Sequence, residues 1–148
     1  MMLAVGGYYP SRTKVTETYE LTDGRWFLRQ NYPVQGFITN PALIVKDDTI
    51  YSFGGNDILT YYSIIAKFEN NSWVTLSGKL SAARSNHAAI LINNKVWIIG
   101  GWKSDETYMT EICEFKMDDV SCEGKFDDLS RYKPAAFQVQ NSSLDSCL

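Results

Sequence analysis

Asn86-His87-Ala88-Ala89-Ile90-Leu91-Ile92-Asn93-Asn94-Lys95-Val96-Trp97-Ile98-Ile99-Gly100-Gly101 is two apolar runs joined by a pair of asparagines and closed by a pair of glycines. Short runs rich in β-branched and aromatic residues read as strands, and Asn-Asn, which tolerates left-handed backbone, reads as a tight hairpin turn. The same arrangement stands earlier in the chain. Asn40-Pro41-Ala42-Leu43-Ile44-Val45-Lys46-Asp47-Asp48 lies over Asn86 to Asn94 without a gap, and Ile50-Tyr51-Ser52-Phe53-Gly54-Gly55 follows it.

Glycine pairs at Gly6-Gly7, Gly54-Gly55 and Gly100-Gly101 are spaced by 48 and 46 residues, and the first also ends an apolar run, Leu3-Ala4-Val5. After the first and third pairs, Thr16-Glu17-Thr18-Tyr19-Glu20-Leu21 lies over Thr110-Glu111-Ile112-Cys113-Glu114-Phe115 at an offset of 94, with three of six positions identical. Flanks that repeat with the glycines mark an internal repeat. Each unit reads as four strands: two apolar strands up to Gly-Gly, then a third (Val15 to Leu21, Ser63 to Phe68, Glu111 to Phe115). A tight turn, Thr22-Asp23-Gly24 or Glu69-Asn70-Asn71, leads to a fourth strand headed by Trp26 or Trp73. No stretch sustains a 3.6-residue apolar period, so helix content is expected to be close to nil.

Units of this length, with Gly-Gly closing strand two and Trp opening strand four, and with Ala83-Arg84-Ser85-Asn86-His87 leading to Gly100-Gly101, resemble kelch repeats. These are the blades of one class of β-propeller. The resemblance implies an all-β, kelch-type β-propeller fragment of four-stranded antiparallel blades, about three in total. A partial blade lacking its first strand would span 1–38, and complete blades 39–84 and 85–130. Residues 131–148 would hold the first strand of a further blade and a tail. Closed propellers hold about four to eight blades, so a fragment of a longer protein is expected, or self-association that completes a ring.

The resemblance also places Trp26 and Trp73 between blades. In the third unit no Trp follows the third strand; Cys122 occupies that neighbourhood two residues late, and Cys113 stands where the first unit has Tyr19. If Tyr19 and Trp26 face each other across a hairpin, Cys113 and Cys122, with a turn two residues longer, make a candidate disulfide. Two unpaired buried thiols are the alternative.

The chain has 148 residues, 45% hydrophobic, 21% charged and 14% aromatic, with a net charge of -3. That is globular material without the clustered Lys and Arg that hold nucleic acid or anionic lipid. No apolar stretch approaches the roughly 20 residues of a membrane span. The opening Met1-Met2-Leu3-Ala4-Val5 reaches glycine at once, so no signal peptide is expected. Sequons at Asn70-Asn71-Ser72 and Asn141-Ser142-Ser143 and the candidate disulfide lean extracellular, while the missing leader leans cytoplasmic.

The one histidine, His87, reads as structural, and with three scattered cysteines it makes no zinc pattern. Copper oxidases with kelch-type folds need two histidine ligands, so neither metal nor cofactor is expected. Asp118-Asp119 and Asp127-Asp128 read as solvated turns, and no phosphate loop or nucleophile elbow is present. The resemblance implies a non-enzymatic protein-interaction module that binds a protein or peptide through rim loops. The residues it singles out are Tyr8, Asn56 and Trp102 just after the glycines, and Arg84 and Ser85 leading into a blade. Arg131 and Tyr132 hold the equivalent place in the last unit, and Ile38 and Thr39 in the preceding one. Guanidinium and aromatic groups on a rim suit an extended acidic peptide. The alternative function is part of a propeller enzyme, of oxidase or sugar-processing type, with its active residues outside this chain.

Overall fold

The computed structural model describes residues 2–7, 16–104, 107–116 and 119–125. Among these residues the chain forms strands and no helix, hence none long and apolar enough to cross a membrane. The first sheet is β1 (Met2–Val5), β2 (Thr18–Thr22) and β3 (Arg25–Leu28); the second is β4 (Ala42–Lys46), β5 (Thr49–Phe53), β6 (Ile64–Glu69) and β7 (Ser72–Lys79). The third is β8 (Ala88–Ile92), β9 (Lys95–Ile99), β10 (Glu111–Lys116) and β11 (Asp119–Lys125). Every sheet is an antiparallel meander in chain order. The polar pairs Asp47-Asp48, Asn70-Asn71 and Asn93-Asn94 all take positive φ, between 49° and 63°, the backbone that a two-residue hairpin of this hand requires.

Each of the second and third sheets buries one face in a joint with the sheet before it. Ile50, Ala66, Phe68 and Trp73 of the second sheet share a core with Tyr32 and Ile38, against which Leu3 and Val5 of the first pack. The Trp73 indole N–H donates to Thr18 Oγ1 at 2.8 Å, so the buried ring keeps its polar atom satisfied. In the next joint Val96, Ile98, Cys113 and Phe115 share a core with Phe53, Ile65 and Leu80, and the Phe115 ring lies 5.1 Å from that of Phe53. Burying each large apolar side chain contributes about 1.5–3 kcal/mol.

Two expectations are corrected here. Trp26 is 50% exposed while Trp73 is 6% exposed, because no described sheet covers the outer face of the first sheet. The hairpin register also differs. Leu21 faces Trp26 and Tyr19 faces Leu28. In the third sheet Lys116 faces Asp119, as Glu69 faces Ser72, so the turn is no longer than the others and Val120 stands at the tryptophan position. Counted from that turn, Cys113 stands opposite Cys122, just before a bulge between Ile112 and Cys113, and the two are joined by a disulfide.

Candidate functional site: a cleft at the rim

The glycine pairs shape the rim. Gly54 N–H donates to Ile64 O of its own sheet at 2.9 Å, and Gly55 N–H donates to Arg84 O, in the lead-in to the next sheet, at 2.8 Å. Gly6 and Gly7 repeat this with Glu17 O and Ile38 O, each at 2.9 Å. A Cβ on Gly54 would sit 2.5 Å from Arg84 O, and one on Gly55 would sit 2.5 Å from Ile38 Cδ1; both have positive φ, +55° and +99°. Only glycine allows the backbones to approach this closely.

Immediately after each pair the chain makes a short three-way ladder. Asn56 bridges Thr39 and Tyr61, and Trp102 bridges Ser85 and Tyr108. At the first of these, Thr39 Oγ1 donates to Asn56 O at 2.9 Å, and Asn56 Nδ2 donates to Asp57 O at 2.8 Å. Gly7 and Phe37, which precede the second sheet, meet Thr39, Asn40, Asn56, Asp57 and Ile58 around an open cleft of about 390 Å³.

Asp57 fixes one wall. Its Oδ1 accepts the backbone N–H groups of Leu59 at 2.8 Å and Thr60 at 2.6 Å, and its Oδ2 accepts the Tyr62 hydroxyl at 3.0 Å. Burial would raise this carboxyl, but the Leu59, Thr60 and Tyr62 donors outweigh it and hold Asp57 below its ordinary range. Burial, and then the Asp57 hydrogen bond and charge, push the Tyr62 hydroxyl up to about 12. The loop is therefore held in one conformation by a carboxylate that stays ionised.

Of the residues singled out in sequence, Asn56 lies in the cleft, with Thr39 beside it. Trp102 is half-buried, its ring 5.5 Å from that of Tyr108. Tyr8, Arg131 and Tyr132 lie outside the described residues. Arg84 and Ser85 are corrected: both are fully buried. Arg84 Nη2 donates to Ser81 Oγ and to Glu111 Oε2, each at 2.7 Å, and Nη1 donates to Gly100 O at 3.3 Å. Ser85 Oγ accepts Asn86 Nδ2 at 3.0 Å. The guanidinium is consumed inside the fold and is not offered to a partner.

His87 is buried against Gly54 and Gly101, and burial followed by the nearby Arg84 charge pushes its imidazole down to about 3. It is neutral and buried. Glu111, Cys113 and Cys122 bring a carboxylate oxygen and two sulfurs within 4.8 Å of one another. With both sulfurs bonded to each other and Glu111 held by Arg84, that set offers a cation only a carboxylate already in use. Sequence reasoning missed Asp57, Phe37 and Ile58. The signal for the first was an Asp opening a loop, where its carboxylate can accept backbone N–H groups two and three residues on.

No family model matches the chain. It is 34% identical over 70 residues to Tip elongation aberrant protein 3 of Schizosaccharomyces pombe, a match covering 40% of this chain and 6% of that protein. The solved structure of YjhT superposes with a TM-score of 0.69 at 16% identity, covering 79% of this chain and 47% of that one. The chain thus spans less than half the length of either protein. The structural likeness shows the fold: a β-propeller-like stack of antiparallel blades, about three in this chain.

Proposed function

We propose that this chain is part of a kelch-type propeller whose rim cleft, between the first and second blades, binds an extended segment of a protein partner. The observation that carries this reading is the convergence of the lead-in loop, the post-glycine residues and the preceding glycine pair on one open cleft. Phe37 and Ile58 supply apolar lining, while Asn40 and Asn56 supply amides that both donate and accept, as a peptide backbone requires. Loops held by a packed scaffold are where recognition concentrates.

The charge of the occupant follows from the lining. With Arg84 buried, the charged group lining the cleft among the described residues is Asp57, so a neutral or basic segment fits better than an acidic one. Selection of binders from a random extended-peptide library on the immobilised chain tests the proposal. Binders lost in an Asn40→Ala/Asn56→Ala double variant with an unchanged melting temperature support it. Binders indifferent to that change, or a consensus rich in Asp and Glu, count against it.

A further inference from the structure

Glu111 Oε2 lies 3.9 Å from Cys113 Sγ and 3.9 Å from Cys122 Sγ, the two sulfurs of the disulfide. Ser81 Oγ lies 3.5 Å from Cys122 Sγ and donates to Glu111 Oε2 at 3.1 Å. Around a tetrahedral zinc ion, bonds of about 2.3 Å to sulfur and about 2.0 Å to oxygen put a sulfur and an oxygen about 3.5 Å apart, and two oxygens about 3.3 Å apart. The four atoms therefore stand near the corners of such a site, with the two sulfurs drawn together by their bond.

The surroundings suit a bound cation. Arg84 Nη2 donates to Ser81 Oγ and to Glu111 Oε2, each at 2.7 Å, so both oxygens are oriented from behind. Cys113 is fully buried, while Cys122 and Ser81 are exposed and leave a path from solvent. Charge closes as well: two thiolates and the Glu111 carboxylate balance a divalent ion and the Arg84 guanidinium, so no net charge is left in the buried part. We propose that Glu111, Cys113 and Cys122 form a redox-gated site for a thiophilic divalent cation such as zinc, with Ser81 Oγ at the fourth corner. In the oxidised chain the site is closed. A dithiol opens it: one of its thiolates attacks the exposed Cys122 Sγ, Cys113 Sγ leaves, and the second thiol resolves the mixed disulfide. The dithiol ends as a disulfide and the protein as two thiols. The ion then displaces their two protons and ties β10 to β11 in place of the covalent bond.

Cobalt titration of the full chain, reduced with a phosphine and followed by absorbance, tests this. One cobalt per chain should bind with a thiolate-to-metal charge-transfer band, and zinc should displace it. The unreduced chain should show no band. Cys122→Ser, at an exposed position, should abolish the band, Glu111→Gln should weaken zinc binding about tenfold or more, and Cys147→Ser should change neither. Zinc should also raise the unfolding midpoint of the reduced chain but not that of reduced Cys122→Ser. The proposal is overturned by a reduced chain that gives no band or stays unfolded with zinc present, or by a band equally strong before reduction. A band that survives Cys122→Ser or is lost in Cys147→Ser, or a zinc affinity indifferent to Glu111→Gln, overturns it equally.

Discussion

The Arg84 guanidinium, 1% exposed at its side chain, donates to Glu111 Oε2 at 2.7 Å and so ties the lead-in of the third blade to β10. Removing the buried guanidinium empties its site and leaves the Ser81 and Gly100 acceptors unmatched, while Glu111, 38% exposed, turns to water. Arg84→Ala should lower stability by about 2 kcal/mol. Urea unfolding measures it. A loss below about 0.5 kcal/mol, the range of ordinary surface changes, would mean that the guanidinium is free at the rim.

His87 should make the fold acid-sensitive. Its folded value, about 3, lies below its ordinary 6.5, so the unfolded chain takes up a proton that the folded chain refuses. Stability contributed by the neutral imidazole is fully present above pH 6.5 and is lost as pH falls towards 3. The loss reaches about 2 kcal/mol at pH 5. In His87→Gln the fall in unfolding free energy between pH 7 and pH 5 should be smaller by that amount. Parallel pH profiles would sink this account of the residue.

Glycines at positive φ should differ by what surrounds them. Gly24 has φ +73° and nothing near its missing Cβ, whereas a Cβ on Gly54 meets Arg84 O at 2.5 Å. Gly24→Ala should cost about 1 kcal/mol and Gly54→Ala about 3 kcal/mol or more, the difference being backbone that has to move. Thermal denaturation of the pair compares them. Equal losses would mean that left-handed backbone alone selects glycine at the rim.

The glycine pairs and the Asn and Asp turns were legible because local backbone chemistry dictates them. The fate of Arg84 was not. Whether an arginine reaches out to a partner or back to Glu111, 27 residues on, depends on long-range packing that no local pattern encodes. Trp26 and Trp73 open equivalent strands, yet among the described residues only the second has a neighbouring sheet to cover it. The turn between Lys116 and Asp119, which no Asn-Asn or Asp-Gly pair marks, concealed the register that places Val120, not Cys122, at the tryptophan position. The rim cleft was legible only in part. Asn56 was found from its place after Gly-Gly, while Asp57 and Phe37 matter through contacts made in three dimensions.

The Cys113–Cys122 disulfide staples β10 to β11 with a sequence separation of 9. Closing a loop that short should stabilise the fold by about 2–3 kcal/mol. Thiol alkylation followed by mass measurement should find one reactive cysteine in the denatured, unreduced protein, Cys147, and three after reduction. Reduction should lower the unfolding midpoint accordingly. Three reactive thiols before reduction would remove the staple from the account.

The most direct measurement of the rim proposal is an amide chemical-shift titration of the labelled chain with a selected peptide. Shifts should cluster at Gly7, Thr39, Asn56 and Asp57, with the backbone N–H groups of Leu59 and Thr60 still held by the Asp57 carboxylate. Shifts centred instead on the opposite-rim turns at Asp47-Asp48 and Asn93-Asn94 would contradict the assignment of the cleft as the binding site.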